Sequence, residues 1–132
     1  MISKEDRKIV FNKYNGHCAY CGEVLKFERM QVDHIIPQYL FVTHIKNKFR
    51  IPEFLTHLKE EDVDHIDNLM PTCASCNNWK RTFNIELFRS EIQEQVNRLN
   101  KTSANYRLAK RYGLVKEIKN PVTFYFELST IN

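Results

Sequence analysis

Two Cys-x-x-Cys pairs, Cys18/Cys21 and Cys73/Cys76, constrain this chain more than any other feature of it. Two cysteines separated by two residues turn both thiolates toward one ion, and two such pairs make a closed tetrahedral site of the structural zinc kind. The chain has four cysteines, all in these pairs. In a reducing cytosol that spacing favours Zn2+ over disulfides. Two redox dithiols or buried thiols would leave the paired spacing without a reason. A zinc ion on Cys18, Cys21, Cys73 and Cys76 ties an N-terminal helix and the stretch after it to the segment that follows Cys76. It therefore holds His34 against Asn77, which are far apart in sequence.

Composition sets outer limits. At 132 residues the simplest expectation is a single domain. Its 42% hydrophobic content and nine Phe suffice for a modest core. No apolar run approaches the ~18 residues of a membrane span, and the N-terminus lacks the apolar region of a signal peptide. A soluble, cytoplasmic protein in a reducing compartment is expected, with no membrane partner. The net charge of +4 is uneven: residues 1–78 balance to −1 and residues 79–132 to +5. A basic C-terminal segment suits a phosphate backbone, although an ordinary solvated surface would look the same.

Along the chain, residues 3–14 read as a helix with Ser3 as N-cap, Glu5 and Asp6 in its first turn, and Ile9, Val10 and Tyr14 on an inner face. Asn15-Gly16 reads as its stop. Val24–Phe27 reads as a strand and Glu28–Met30 as a turn. Gln31–Ile36 would be the returning strand of that hairpin, carrying Asp33 and His34 near its far end. Neighbours on a regular strand point to opposite faces, so Asp33 and His34 act on one phosphate only if the strand twists or ends there. Pro37 fits such an ending. Residues 38–66 are either a substrate-reading insertion or a packing segment, packing being the simpler reading. Leu40, Phe41, Val42, Phe49, Ile51, Phe54, Leu55 and Leu58 would pack as short helices, with a basic patch at Lys46, Lys48 and Arg50. Glu60–Asp64 is acidic and expected on the surface. A helix is expected after Cys76. A longer one over 84–100 would carry Ile85, Phe88, Ile92, Val96 and Leu99 on one face. A short helix from Ser103 to Tyr112 is closed by Gly113, and Val122–Phe126 alternates as a final strand.

Asp33-His34 alone is a weak signal. It gains meaning beside the other pieces: Cys18-x-x-Cys21, Val32-Asp33-His34-Ile35-Ile36-Pro37, Asp67-Asn68-Leu69, and Cys73-x-x-Cys76-Asn77-x-x-Lys80. In this order the pieces resemble the HNH endonuclease family over about residues 15–82. Residues 1–14 and 83–132 lie outside the resemblance. It implies an α+β fold with a ββα-metal (His-Me finger) core stapled by zinc. The division would be a core at about 15–82, an insertion at 38–66, and a basic helical extension with a terminal strand at 83–132. The resemblance implies His34 as the general base, Asp33 and Asn77 as ligands of a catalytic divalent ion, and Asn68 as the brace of the loop between strand and helix. Lys80 resembles the basic residue that faces the phosphate. By the same resemblance, cleavage leaves 5′-phosphate and 3′-hydroxyl ends, and related small proteins are phage, mobile-element or restriction nucleases.

The residue chemistry agrees. Imidazole titrates near pH 6.5, where a general base works. Asp33 and Asn77 offer only oxygens, which suit Mg2+ or Mn2+. The expected substrate is DNA in duplex form, and a double-strand break would need two visits or a homodimer. Lys80, Arg81, Arg89, Arg98, Lys101, Arg107, Lys110, Arg111, Lys116 and Lys119 supply candidate phosphate contacts. Tyr106, Tyr112, Phe124, Tyr125 and Phe126 read as core more than as stacking platforms. His44, His57 and His65 read as surface histidines before a second metal site, and His17 as a neighbour of the zinc ligands. The rival reading from a different class is a non-catalytic zinc module that only binds nucleic acid. It has no need of a base beside two oxygen ligands.

Overall fold

The structure is a computed structural model that describes residues 2–43 and 51–129. Expectations for His44, Phe49 and the Lys46/Lys48/Arg50 patch lie outside the described residues. The fold is mixed α+β, with two short strands and several helices. It divides into two compact units, Met1–Phe88 with Thr123–Asn132, and Arg89–Val122. Among the described residues no helix is long and apolar enough to cross a membrane.

The first unit begins with α1 (Lys4–Asn12). Ser3 Oγ accepts the Asp6 amide at 3.1 Å, so one orphan donor of the first turn is satisfied, and Glu5 and Asp6 face the positive helix end. Asn15 and Gly16 take positive φ of 53° and 79°, and the Gly16 amide returns to Phe11 O at 3.0 Å. This is the expected stop. The inner face is narrower than expected: Val10 is buried, but Ile9 is exposed. Val10 packs with Met30 and Leu69, flanked by Phe11, Leu25, Val32 and Ile66.

The expected hairpin is corrected. Strand β1 (Gln31–His34) is present, but its partner is β2 (Leu69–Thr72), antiparallel, with His34 opposite Leu69 and Gln31 opposite Thr72. Val24–Phe27 is not a strand; Val24 makes one isolated bridge with His17. Backbone groups of this segment and of Glu23 before it are used elsewhere. The Leu25 amide donates to Gly16 O at 2.7 Å, and Glu23 O accepts from the Cys18 amide at 2.8 Å. Phe27–Arg29 closes into a 3-10 turn whose Phe27 carbonyl is taken by Arg7 Nη2 at 2.9 Å.

Between the strands lie α2 (Gln38–Thr43) and short 3-10 turns at Glu53–Leu55, Glu60–Asp62 and Ile66–Asn68. Leu40, Phe41, Leu55 and Leu58 are buried, so this segment does pack. After β2 comes α3 (Ala74–Lys80). It starts earlier than expected, because Cys73 is its N-cap, with Sγ accepting the Cys76 amide at 3.4 Å. Cys76 and Asn77 therefore sit inside the helix.

The helix expected over 84–100 is two, α4 (Ile85–Gln93) and α5 (Gln95–Thr102), interrupted at Glu94. Ile85 and Phe88 are buried, whereas Val96 and Leu99 are exposed. In the second unit Ser103 Oγ caps α6 (Ala104–Arg111) by accepting the Tyr106 amide at 3.1 Å, and Gly113 closes it at φ 74°. Glu117 accepts from Asn100 Nδ2 at 2.7 Å and Tyr106 Oη at 2.8 Å, and pairs with Lys110 at 3.3 Å. Arg107 Nη1 donates to Asn100 O at 2.9 Å and Lys101 O at 3.1 Å, closing the end of α5.

The expected final strand is a second correction. The segment turns into α7 (Tyr125–Ser129). The Phe124 amide is taken by the Glu127 carboxylate at 2.8 Å. The Tyr125 and Phe126 amides donate to Tyr20 O at 3.0 Å and Ala19 O at 2.8 Å. Phe124 and Phe126 are buried beside Tyr20 and Phe88, so the alternation of aromatics comes from one cluster and not from a sheet face.

Candidate active site

The four cysteines converge. Their sulfurs lie within 4.8 Å of one another, with Cys21 and Cys73 3.8 Å apart. A tetrahedral zinc with Zn–S bonds of about 2.3 Å separates its sulfurs by about 3.8 Å, so the donor set and its spacing fit such an ion. The turn between Cys18 and Cys21 is held by the Gly22 amide on Cys18 O at 2.9 Å, with Gly22 at φ 81°. The Ala19 amide donates to Pro71 O at 2.8 Å, which pins the first knuckle to β2 just before Cys73. The Cys76 thiol donates toward Cys18, which draws the Cys18 thiol down to about 4 and pushes that of Cys76 up. Among the described residues this is the one cluster of three or more His, Cys, Asp or Glu side chains at ligand spacing.

Strand β1 divides its side chains between two faces. Val32 joins the α1 core, while Gln31 and Asp33 face α3. Asp33 is 7% exposed. Its Oδ2 accepts Tyr20 Oη at 2.5 Å and pairs with Lys80 Nζ at 2.8 Å. Lys80 was expected to face substrate, but it is fully buried and also donates to His34 O at 3.0 Å. Burial pulls the Lys80 ammonium below its ordinary pKa, and Asp33 partly restores it. Burial, reinforced by Asp33, pushes the Tyr20 phenol well up. Among the described residues nothing bonds Asp33 Oδ1. One turn earlier on α3, Asn77 Nδ2 donates to Gln31 Oε1 at 2.7 Å, which fixes the amide with its Oδ1 unbonded among the described residues. Each residue thus keeps one open oxygen, which fits a hard divalent cation.

His34 ends β1. Its Nε2 meets Asp64 Oδ1 at 2.7 Å, and its side chain is 37% exposed. Asn68 is fully buried and acts as a brace: its Oδ1 accepts the Ile36 amide at 2.9 Å, and its Nδ2 donates to Ile36 O at 3.0 Å and Val63 O at 2.8 Å. Lys13 Nζ holds the same turn through Ile66 O at 2.9 Å and Leu69 O at 2.7 Å.

No family model matches the chain. A curated protein of Bacillus subtilis (strain 168), named "SPbeta prophage-derived putative HNH endonuclease YoqL", is 35% identical over 98 residues, 74% of this chain. The chain is a relative of the HNH endonucleases. It spans about a third, 34%, of the length of that HNH protein. The crystal structure of the Type II-C Cas9 enzyme from Actinomyces naeslundii is similar at a TM-score of 0.46 and 19% identity, over 92% of this chain and 12% of that one. This likeness is too loose to add to the HNH relationship.

Several side chains around the HNH-like residues were not legible as site residues: Tyr20, Gln31, Asp64 and Lys13. Tyr20 hides inside a zinc knuckle, and Asp64 inside an acidic run that reads as surface. His57 and His65 both approach Asp67 Oδ2, at 3.0 and 3.7 Å, as half-exposed ion-pair partners. His17 stacks on Tyr125 at 5.2 Å between ring centroids and sits beside the sulfur cluster without entering it.

Proposed function

We propose that this chain is a metal-dependent endonuclease that hydrolyses phosphodiester bonds of DNA, duplex DNA first, on a ββα-metal core made of β1, β2 and α3. The observation that carries the reading is that Asp33 on β1 and Asn77 on α3 are each fixed by their other polar atom and keep Oδ1 unbonded among the described residues, with His34 next to Asp33 at the end of the strand. Asp33 and Asn77 would hold the catalytic Mg2+ or Mn2+, which when bound supplies charge neutralisation at the phosphate and the leaving oxygen. Tyr20 and Lys80 fix Asp33 by its other oxygen, and Gln31 fixes Asn77. The His34 imidazole takes a proton from the attacking water. Asn68 keeps the turn that follows His34 closed. The Cys18/Cys21/Cys73/Cys76 zinc ties α3 to the first knuckle and so holds Asn77 on β1. By the HNH resemblance the products carry 5′-phosphate and 3′-hydroxyl ends.

In the second unit Arg89, Arg98, Arg107 and Lys110 are engaged internally, which leaves Lys101, Arg111, Lys116 and Lys119 as exposed cations for the phosphate backbone. We place the protein in a reducing cytoplasm, in a phage or mobile-element setting, with a homodimer as one route to double-strand cleavage. One observation favours the rival, a zinc-containing module that binds nucleic acid without cutting it: Lys80 already compensates the Asp33 charge. Digestion of supercoiled plasmid with Mg2+, with Mn2+ and with EDTA separates the two. Nicked or linear product that depends on metal and disappears in His34→Ala supports the enzyme. A salt-sensitive gel shift with no cleavage under either metal supports the binding module.

A further inference from the structure

We infer that Asp64 is a positioning residue for His34: its carboxylate fixes the imidazole as the Nε2–H tautomer and aims Nδ1 at the attacking water. The inference rests on the reading of His34 as general base and deepens it by naming the atom that takes the proton.

An ionised carboxylate can only accept hydrogen bonds. In the 2.7 Å contact between His34 Nε2 and Asp64 Oδ1, the proton therefore resides on Nε2. In neutral imidazole the lone pair is then on Nδ1, the nitrogen nearer the backbone and the strand end. Stability does not explain the contact. The Asp64 side chain is 74% exposed, and pairs so open to solvent contribute about 0–1 kcal/mol.

The backbone that carries Asp64 is nevertheless held. Asn68, fully buried, donates to the carbonyl of Val63, the residue before Asp64, and bonds both backbone groups of Ile36, two residues past His34. One amide side chain thus ties the end of β1 to the turn bearing Asp64. The preceding turn is closed by the His65 amide on Asp62 O at 2.9 Å and the Lys59 amide on Asp62 Oδ2 at 2.9 Å. The intervening segment thereby delivers a carboxylate to the ring nitrogen that does not face the water.

The test compares Asp64→Ala, Asp64→Asn and His34→Ala in the full chain. Plasmid cleavage is measured at saturating Mg2+, with kcat and KM determined separately, and the His34 ring nitrogens are observed by 15N NMR. Partners that orient metal-bound histidines are worth about tenfold to a hundredfold in activity, and we expect the same range for this contact. Asp64→Ala should lower kcat by that factor with KM unchanged, and the single Nε2–H form of His34 should become a mixture. Asp64→Asn should restore most of kcat, because its amide oxygen accepts the same bond. Unchanged kcat or an unchanged tautomer in Asp64→Ala overturns the inference. So does an Asp64→Asn variant as slow as Asp64→Ala, which would make the charge and not the accepted bond decisive. Full cleavage by His34→Ala overturns the parent reading and this inference with it, whereas a dead His34→Ala beside a fully active Asp64→Ala removes the inference alone.

Discussion

Replacing Lys80 with Met keeps most of the side-chain volume and deletes the ammonium. Lys80 is fully buried, and its Nζ reaches Asp33 Oδ2 at 2.8 Å and His34 O at 3.0 Å. Removing one member of a buried ion pair costs about 3–5 kcal/mol, because the other charge stays buried without compensation. The bond to the His34 carbonyl, about 1 kcal/mol, is counted within that cost. Tyr20 still donates to Asp33, which places the expected loss near the low end, about 3 kcal/mol. A domain of this size loses about 3–5 °C of Tm per kcal/mol, so Lys80→Met should melt roughly 10–15 °C below the parent protein. The assay is thermal unfolding followed by circular dichroism, first without added divalent ion and then with Mg2+. An ion at Asp33 would replace the missing cation, so Mg2+ should raise the Tm of Lys80→Met more than that of the parent. Adding Asp33→Asn to Lys80→Met should recover stability, since the residual charge is gone. A Lys80→Met protein that melts within about 2 °C of the parent would refute the buried pair as a stabilising contact.

Cys73→Ser should release the metal and unfold or strongly destabilise the first unit; metal analysis and circular dichroism check this, and retention of one zinc per chain with unchanged Tm would refute it. Asn68→Ala removes three bonds to Ile36 and Val63 from a fully buried site. It should cost about 2–4 kcal/mol by urea unfolding, each orphaned group contributing about 1–3 kcal/mol. Gly22→Ala should destabilise by about 1–3 kcal/mol. Gly22 sits at φ 81°, and a Cβ there would meet Tyr125 Cδ1 at 2.7 Å; a melting shift under 2 °C would refute this strain.

The parts of the fold that follow from spacing and capping were legible. The cysteine pairs are one example, and the Ser3 cap and the Gly113 stop are others. The partner of β1 was not. Val24–Phe27 has the branched and aromatic residues of a strand, and a short hairpin is the cheaper loop to close. Yet its amides and carbonyls serve the first knuckle and α1, which leaves the edge of β1 to a segment beyond residue 66. The terminal aromatics misled for a related reason, since alternation does not distinguish a sheet face from a single turn pressed on a cluster. Lys80 reads as phosphate-facing through the HNH resemblance, and its full burial runs against the usual habit of lysine. Only the Asp33 carboxylate opposite makes its burial tolerable, and the sequence does not pair them.

The stacking of Phe88 on Phe124, with ring centroids 5.4 Å apart, bears on how this protein can be altered. It brings together the two points at which the chain leaves the first unit and re-enters it, at residues 88 and 123. The intervening 34 residues therefore behave as a cassette on a closed seam. A short linker bridging the seam should leave the sulfur cluster and β1 in register, and another small domain whose termini lie equally close could be grafted there. The two units would then be separable by cloning at one junction pair.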